Sequence, residues 1–424
     1  MNATAETSGQ PGSTRLARRL GTGDAVLVGL GAMIGAGVFS AFEPAARAAG
    51  AGLLIALALA AVVAYANAAS SAELAALYPR SGGTYVYGRE RLGDRWGFLA
   101  GFGFVAGKSA SCSAMALTFA SYAWPAHGRP LAIAAVAALV GVNLAGIEKT
   151  ALVTKAIVAL VLATLAFVVA AALVGGSPSA SRLTPLGGHG AYGILQAAGI
   201  LFFAFAGYAR IATLGEEVRD PERTIPRAIP VALAITLAVY AAVGVSALLV
   251  LGAPGLAHAG APLRAVVAAT TWHRASPIVR VGAAVASLGA LLSLLAGTSR
   301  TVFAMAANGD LPRRLAAVHT TRRTPYLAEL GLGAGVIAIT AFADIRGAIG
   351  FSSFAVLAYY AIANASALTL SRAERRSPAL VAVIGLAGCV GLGVTLPWES
   401  VVAGVIVLGA GMAGREARLR IQAD

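Results

Sequence analysis

The chain has 424 residues, 58% of them hydrophobic and only 12% charged, with a net charge of +14 and a mean hydropathy of +0.79. A water-soluble protein of this size needs far more charge to cover its surface. The composition therefore excludes a soluble enzyme and predicts a polytopic helical membrane protein, with apolar stretches of about 18–25 residues recurring from end to end.

The excess of arginine does not point to nucleic acid. Arg15, Arg18 and Arg19 precede the first apolar stretch, and Arg80, Arg89, Arg91 and Arg95 follow the second. Further clusters follow the sixth (Arg219, Arg223, Arg227), eighth (Arg313, Arg314, Arg322, Arg323) and tenth (Arg372, Arg375, Arg376), and Arg415, Arg418 and Arg420 close the chain. The intervening loops carry only a scatter. By the positive-inside rule both termini are cytoplasmic and the number of spans is even. The opening "MNATAETSGQPGSTRLARRL" is polar and lacks the apolar core and cleavage site of a signal peptide.

In chain order, the apolar pattern predicts twelve helices over about 24–48, 51–77, 96–124, 130–147, 151–174, 191–214, 227–251, 277–307, 327–344, 348–371, 378–396 and 399–414. The segment 252–276 is the one long loop and has room for a short surface helix. Two spans look interrupted. The first carries Gly29, Gly31, Gly35 and Gly37 in its middle, and the sixth carries Gly199, Gly207 and Gly215 among Phe202, Phe203, Phe205 and Tyr208. Interrupted spans five helices apart point to a midplane binding site in a transporter built from inverted repeats.

The stretch "VGLGAMIGAGVFS" (Val28–Ser40) admits three readings. A phosphate-binding loop needs a preceding strand and surrounding water, and its flanks here are apolar. Gly31-x-x-x-Gly35 also suits simple helix packing. The third reading is an unwound segment, whose freed N–H and C=O groups hydrocarbon forbids unless a solute or cavity satisfies them. An amino acid does so, its carboxylate on the amides of a half-helix and its ammonium on carbonyls.

Four motifs carry a family resemblance: "GAMIGAGVF" in the first helix, "ELAALYPRSGGTYVYGRERLG" after the second, "FFAFAGYARIATLGEEVRDPERTIPRAIP" from the sixth onward, and "SRTVFAMAANGDLPRRLAAVHTTRRTP" at the end of the eighth. In this order, over most of the chain, they resemble the amino acid–polyamine–organocation permeases. The resemblance implies an all-α leucine-transporter-type fold: two inverted five-helix repeats over 23–175 and 176–371, discontinuous first and sixth helices, a tail over 1–22, and two further helices with the C-terminus over 372–424. It implies that the backbone carbonyls of Ala32, Met33 and Ile34 face a substrate ammonium, and that the amides of Gly35, Ala36 and Gly37 face its carboxylate. Phe203 falls at the family's aromatic lid, Ala204 and Phe205 line the other side, and Gly207 and Tyr208 complete the sixth-helix break.

Ionisable residues within the spans are few. Lys108 lies about twelve positions into the third helix, where a lysine costs about 2.5–3.5 kcal/mol unless it faces protein or water. It is the first candidate for proton coupling; a lysine bridging helices through backbone carbonyls is the alternative. The lysine that many sodium-independent members of the resembled family place on the fifth helix falls here on Val161, with Lys155 nearer the helix end and expected to snorkel. Glu43 is a second, weaker proton-coupling candidate. Glu73, Glu216 and Glu217 are read as gate or anchor residues pairing with loop arginines. Ser287 and Ser293 form no persuasive sodium site and are expected to bond their own backbone.

No metal-ligand spacing occurs among the five histidines, no nucleophile is paired with a base, and no cofactor is expected. Cys112 and Cys389 both lie in apolar spans, and the loop Pro125–Pro130 holds no cysteine for a disulfide-linked accessory subunit. A major-facilitator transporter is the nearest rival, suggested by "RLGDRWGFLAG", but its basic residues and long central loop are missing. A channel or scaffold would be a third class. The pocket has no carboxylate for a basic side chain, so the expected cargo is a neutral amino acid moved by proton symport or exchange, with cationic amino acids or polyamines as alternatives.

Overall fold

The computed structural model describes residues 21–78, 82–146, 151–208, 211, 218–319 and 324–423; Glu216 and Glu217 lie outside these. Among the described residues the chain is helical with no strand, and nine segments are long and apolar enough to cross a membrane. Two shorter apolar helices accompany them. The protein is a multi-pass membrane protein.

The first apolar run is divided. Helix α1 (Thr22–Met33) stops, and α2 (Ala36–Ser40) and α3 (Phe42–Ala49) continue as one rod, because Ala41 keeps helical angles between them. Next come α4 (Leu53–Leu77), α5 (Thr84–Leu92), α6 (Asp94–Ala123), α7 (Gly128–Leu144) and α8 (Ala151–Val174). At 1.5 Å per residue α6 measures about 45 Å, more than the ~30 Å of a bilayer core. Helix α9 (Gly190–Phe205) gives way to a single 3-10 turn, Ala206–Tyr208. The rest is α10 (Pro221–Ala257), α11 (Pro262–Ala268), α12 (Ser276–Ala307), α13 (Tyr326–Phe342), α14 (Ile345–Leu368), α15 (Ala379–Thr395) and α16 (Trp398–Ala423).

Two differences from the sequence pattern have physical causes. Residues 84–92 form a helix where a loop was expected, because Gly83 (φ +55°) and Gly93 (φ +97°) supply the sharp turns at its ends. Arg89 and Arg91 occupy its last turn, where cations meet the negative end of the helix dipole. Helix α10 starts before its expected residue 227 and continues past 251, running through Pro226 and Pro230 and a kink at Gly252. Proline interrupts spans less than soluble helices, because packed neighbours re-satisfy the freed backbone. The short helix in the long loop is α11.

The interrupted first run lies inside the bundle. Helix α1 packs on α10, α2 on α6 and α9, and α6 on α12 and α14. Small residues allow this closeness: a Cβ on Gly107 would lie 3.0 Å from Ala355 Cβ, and one on Gly31 would lie 2.9 Å from Val158 Cγ2.

Candidate functional site

At the first break, Ile34 (φ −81°, ψ 68°) and Gly35 (φ −120°, ψ −140°) leave helical geometry. The Ile34 N–H still reaches Leu30 O at 2.7 Å, but Gly35 N–H turns back on Met33 O at 2.8 Å. Beyond this the ladder stops. The N–H groups of Ala36, Gly37 and Val38, and the carbonyls of Gly31, Ala32 and Ile34, have no hydrogen-bond partner among the described residues. Helix ends leave such groups wherever no cap is provided; here they face each other inside a bundle.

The second break meets the first. A Cβ on Gly207 would lie 2.2 Å from Ala32 O, and one on Gly37 would lie 2.8 Å from Ala204 Cα, so the two backbones touch at glycine on each side. Two of the expected roles change. Tyr240 Oη, on α10, lies 2.7 Å from Met33 O and 3.1 Å from Ala204 O, a single hydroxyl shared by both breaks. With Gly35 N–H on it as well, Met33 O has both lone pairs occupied and is not open to an ammonium. Gly35 N–H is likewise spent, which moves the free amides to Ala36, Gly37 and Val38. Tyr240 carries no motif, and its distance from both breaks in the chain hid it from sequence reading.

Aromatic rings surround the turn. Phe203 is 8% exposed and Phe205 is buried edge-on to Tyr240 at 5.2 Å between centroids. Tyr208 stacks obliquely on Tyr360 at 5.2 Å, and Tyr360 meets Phe202 and Tyr359 edge-on. Among the described residues the buried Tyr208 hydroxyl makes no well-formed hydrogen bond, although Tyr360 and Asn67 lie beside it. Asn67 Nδ2 is in the same state, while Asn67 Oδ1 accepts from Asn364 Nδ2 at 2.6 Å and Ser70 Oγ donates to Asn364 Oδ1 at 2.8 Å.

Lys108 is buried on α6, its Nζ 5.9 Å from the Phe104 ring centroid. Among the described residues Nζ has no hydrogen-bond partner and no carboxylate, so the helix-bridging reading gains nothing. Val161 is buried among apolar side chains, and Lys155 is bonded to Asp24 of α1 at 3.1 Å rather than merely snorkelling. Ser293 Oγ bonds Gly289 O of its own helix. Ser287 departs from that expectation: its buried hydroxyl has no partner among the described residues, and it sits three residues before Ala290, whose Cβ packs on Gly35.

The acidic candidates lie elsewhere. Glu43 is held by Arg47 at 2.6 Å, and Arg47 also donates to Ala257 O, which ties α3 to the end of α10. Glu73 is buried, and among the described residues no guanidinium pairs with it; Arg80, in the loop after its helix, lies outside them. The Glu73 carboxylate accepts the backbone N–H groups of Arg376 and Ser377, anchoring α4 to the loop before α15. Among the described residues no cluster of His, Cys, Asp and Glu could hold a metal ion.

Comparison with known proteins places this bundle in a family. A model of the amino acid permease family matches residues 20–414. The chain belongs to the amino acid permease family. As a permease it is 61% identical over 398 residues (94% of this chain, 90% of the relative) to an uncharacterized transporter of Mycobacterium tuberculosis. It is 28% identical over 349 residues (76% and 74%) to the branched-chain amino acid permease of Bacillus subtilis, and 26% identical over 388 residues (86% and 84%) to the methylthioribose transporter of the same organism. The family and these relatives make this permease an amino acid transporter and not an enzyme.

Proposed function

We propose that this permease is a secondary active transporter that moves neutral amino acids across the cytoplasmic membrane by alternating access, coupled to protons or to exchange. Its twelve spans form two inverted five-helix repeats plus two further helices, with both termini and the arginine-rich loops in the cytoplasm. The observation that carries the reading is the set of unpaired backbone groups at the first break. The substrate carboxylate docks on the N–H groups of Ala36, Gly37 and Val38, and its ammonium on the carbonyls of Ala32 and Ile34. Phe203, Ala204 and Phe205 flank the side chain, and the absence of a carboxylate among these residues favours a neutral one. The name of the Bacillus subtilis branched-chain permease points the same way.

In the state described, Gly207 seals Ala32 and Gly37 seals Ala204. Admission of substrate therefore requires the two breaks to part, which frees Met33 O and Ala204 O from Tyr240 together. Lys108 is the proton-coupling residue in this reading, because its ammonium has nothing permanent to neutralise it. Purified protein in liposomes should take up labelled leucine or alanine saturably, show counterflow, and leave arginine and putrescine behind. Lys108→Met should retain counterflow and lose the dependence of uptake on an imposed pH gradient. Uptake of Lys108→Met that still follows the gradient would remove the lysine from coupling, and absence of any amino acid counterflow in the unmodified protein would defeat the whole reading.

A further inference from the structure

The end of the bundle remote from Arg89 and Arg415 holds a feature that amino acid transport leaves unused. A cleft of about 620 Å3 opens there, lined by Ala123, Trp124, Pro125, Ala126, Arg264 and Arg280. It lies where the end of α6, the start of α12 and the short helix α11 meet.

Its two arginines are not equivalent. Arg280 Nε donates to Tyr122 O at 3.0 Å and its Nη2 to Ala123 O, so this guanidinium caps the last carbonyls of α6. Arg264 is half-buried; its backbone N–H faces the Tyr122 hydroxyl, and its guanidinium has no hydrogen-bond or ion-pair partner among the described residues. No carboxylate lines the cleft to neutralise it. Beside it stands Trp124, 57% exposed, its ring 4.7 Å from that of His127. A planar fork of N–H donors next to an amphipathic indole is the chemistry that recognises phosphate and carboxylate oxygens at a membrane–water boundary.

The helix that carries Arg264 is fixed in place. Leu263 N–H donates to Tyr122 Oη at 3.1 Å, and that hydroxyl donates to Phe39 O at 2.8 Å. Phe39 and Tyr122 also pack edge-on at 5.7 Å. A ligand arriving at Arg264 therefore meets a guanidinium on an already ordered element, which spares it the cost of ordering a loop.

We propose that this cleft is an oxyanion-binding site, in which Arg264 holds a phosphate or carboxylate group and Trp124 covers its flank. The group comes either from the headgroup of an anionic lipid at that face or from a small soluble anion, and the two sources separate experimentally. Full-length protein in a phosphate-free detergent is titrated with phosphatidylglycerol, followed by native mass spectrometry, and with inorganic phosphate, followed by calorimetry. Arg264→Gln should weaken binding about tenfold, the loss of one charge-assisted contact. Arg264→Lys, which keeps the charge and loses the fork, should fall between them and shows that the variants are folded. A loss confined to phosphatidylglycerol assigns a lipid headgroup, and a loss confined to phosphate assigns a soluble anion. Equal binding of both probes by the unmodified protein and Arg264→Gln overturns the site. The readout is binding, so the result is independent of what the permease carries.

Discussion

The first helix break and the ion cluster around Asp310 belong to one bundle and treat buried polar groups in opposite ways. At the break, three amides and three carbonyls stand without partners among the described residues. Around Asp310 the carboxylate is filled: Oδ2 accepts from Tyr85 Oη at 2.6 Å and Arg89 Nη1 at 3.1 Å, and Oδ1 accepts from Arg415 Nε at 3.1 Å. Leaving a buried polar group unpaired costs about 1–3 kcal/mol. On the function proposed above, the open break receives a substrate that comes and goes, whereas the oxygens of Asp310 are permanently satisfied. The cluster instead joins α5, the end of α12 and α16 for good.

The sharpest way to test that contrast is to damage the saturated region. Asp310→Ala strands Arg415, whose side chain is only 8% exposed, and loss of one partner from a buried pair costs about 3–5 kcal/mol. The variant should show a large drop in melting temperature in detergent. Asp310→Asn, which keeps the shape and one acceptor, should drop less. A melting temperature unchanged by Asp310→Ala would mean that the cluster contributes nothing to the fold.

Next in size is the seal between the breaks. Gly207→Ala drives a methyl group into the Ala32 carbonyl, backbone against backbone, and overpacking of this kind costs about 1–3 kcal/mol. Uptake should fall much further than stability, since the strain acts where the two breaks must meet and part. Equal losses of uptake and of melting temperature would reduce Gly207 to ordinary packing. Smaller still is Tyr240→Phe. It removes one hydroxyl from Met33 O and Ala204 O and should cost about 0.5–1.5 kcal/mol. Because that hydroxyl holds the closed arrangement, amino acid affinity should rise or stay level while stability declines, and a loss of affinity would assign Tyr240 to the substrate instead.

The same contrast explains how much of the molecule could be read from sequence. The apolar runs announced a multi-pass helical chain, and the glycines at 35 and 37 announced the stop between α1 and α2, because burial and close approach leave a local signature. The partners that close the breaks left none. Tyr240 is one aromatic residue in an apolar helix, and its targets are 207 and 36 residues away. Arginines read only as a topology signal turned out to include Arg89 and Arg415, which meet Asp310 from 221 and 105 residues off. Glu73 also accepts the backbone N–H groups of Arg376 and Ser377, contacts that depend on how the loop before α15 folds over it and that no local pattern announces.

The least of the expected effects concerns a pair joining α5 to the loop between α14 and α15, and it tests whether the arginine-rich end is held electrostatically beyond Asp310. Glu374 accepts from Arg91 Nη2 at 2.6 Å and from the Ser371 N–H at 2.9 Å. These contacts, the arginine first, pull its carboxyl from 4.5 down to about 2. A carboxylate whose folded pKa is depressed adds stability that is complete above the unfolded value and disappears as pH falls through the folded one. The window is therefore pH 4.5 down to 2. The advantage of the unmodified protein over Glu374→Gln should be complete and constant from neutral pH down to about 5, and in the acid window the unmodified protein should lose it. The difference will be slight, because the carboxylate is solvent-exposed and such pairs are screened. Parallel pH profiles for the two proteins through that window would show that Arg91 and Glu374 merely sit side by side, and that fixation at this end rests on the buried cluster alone.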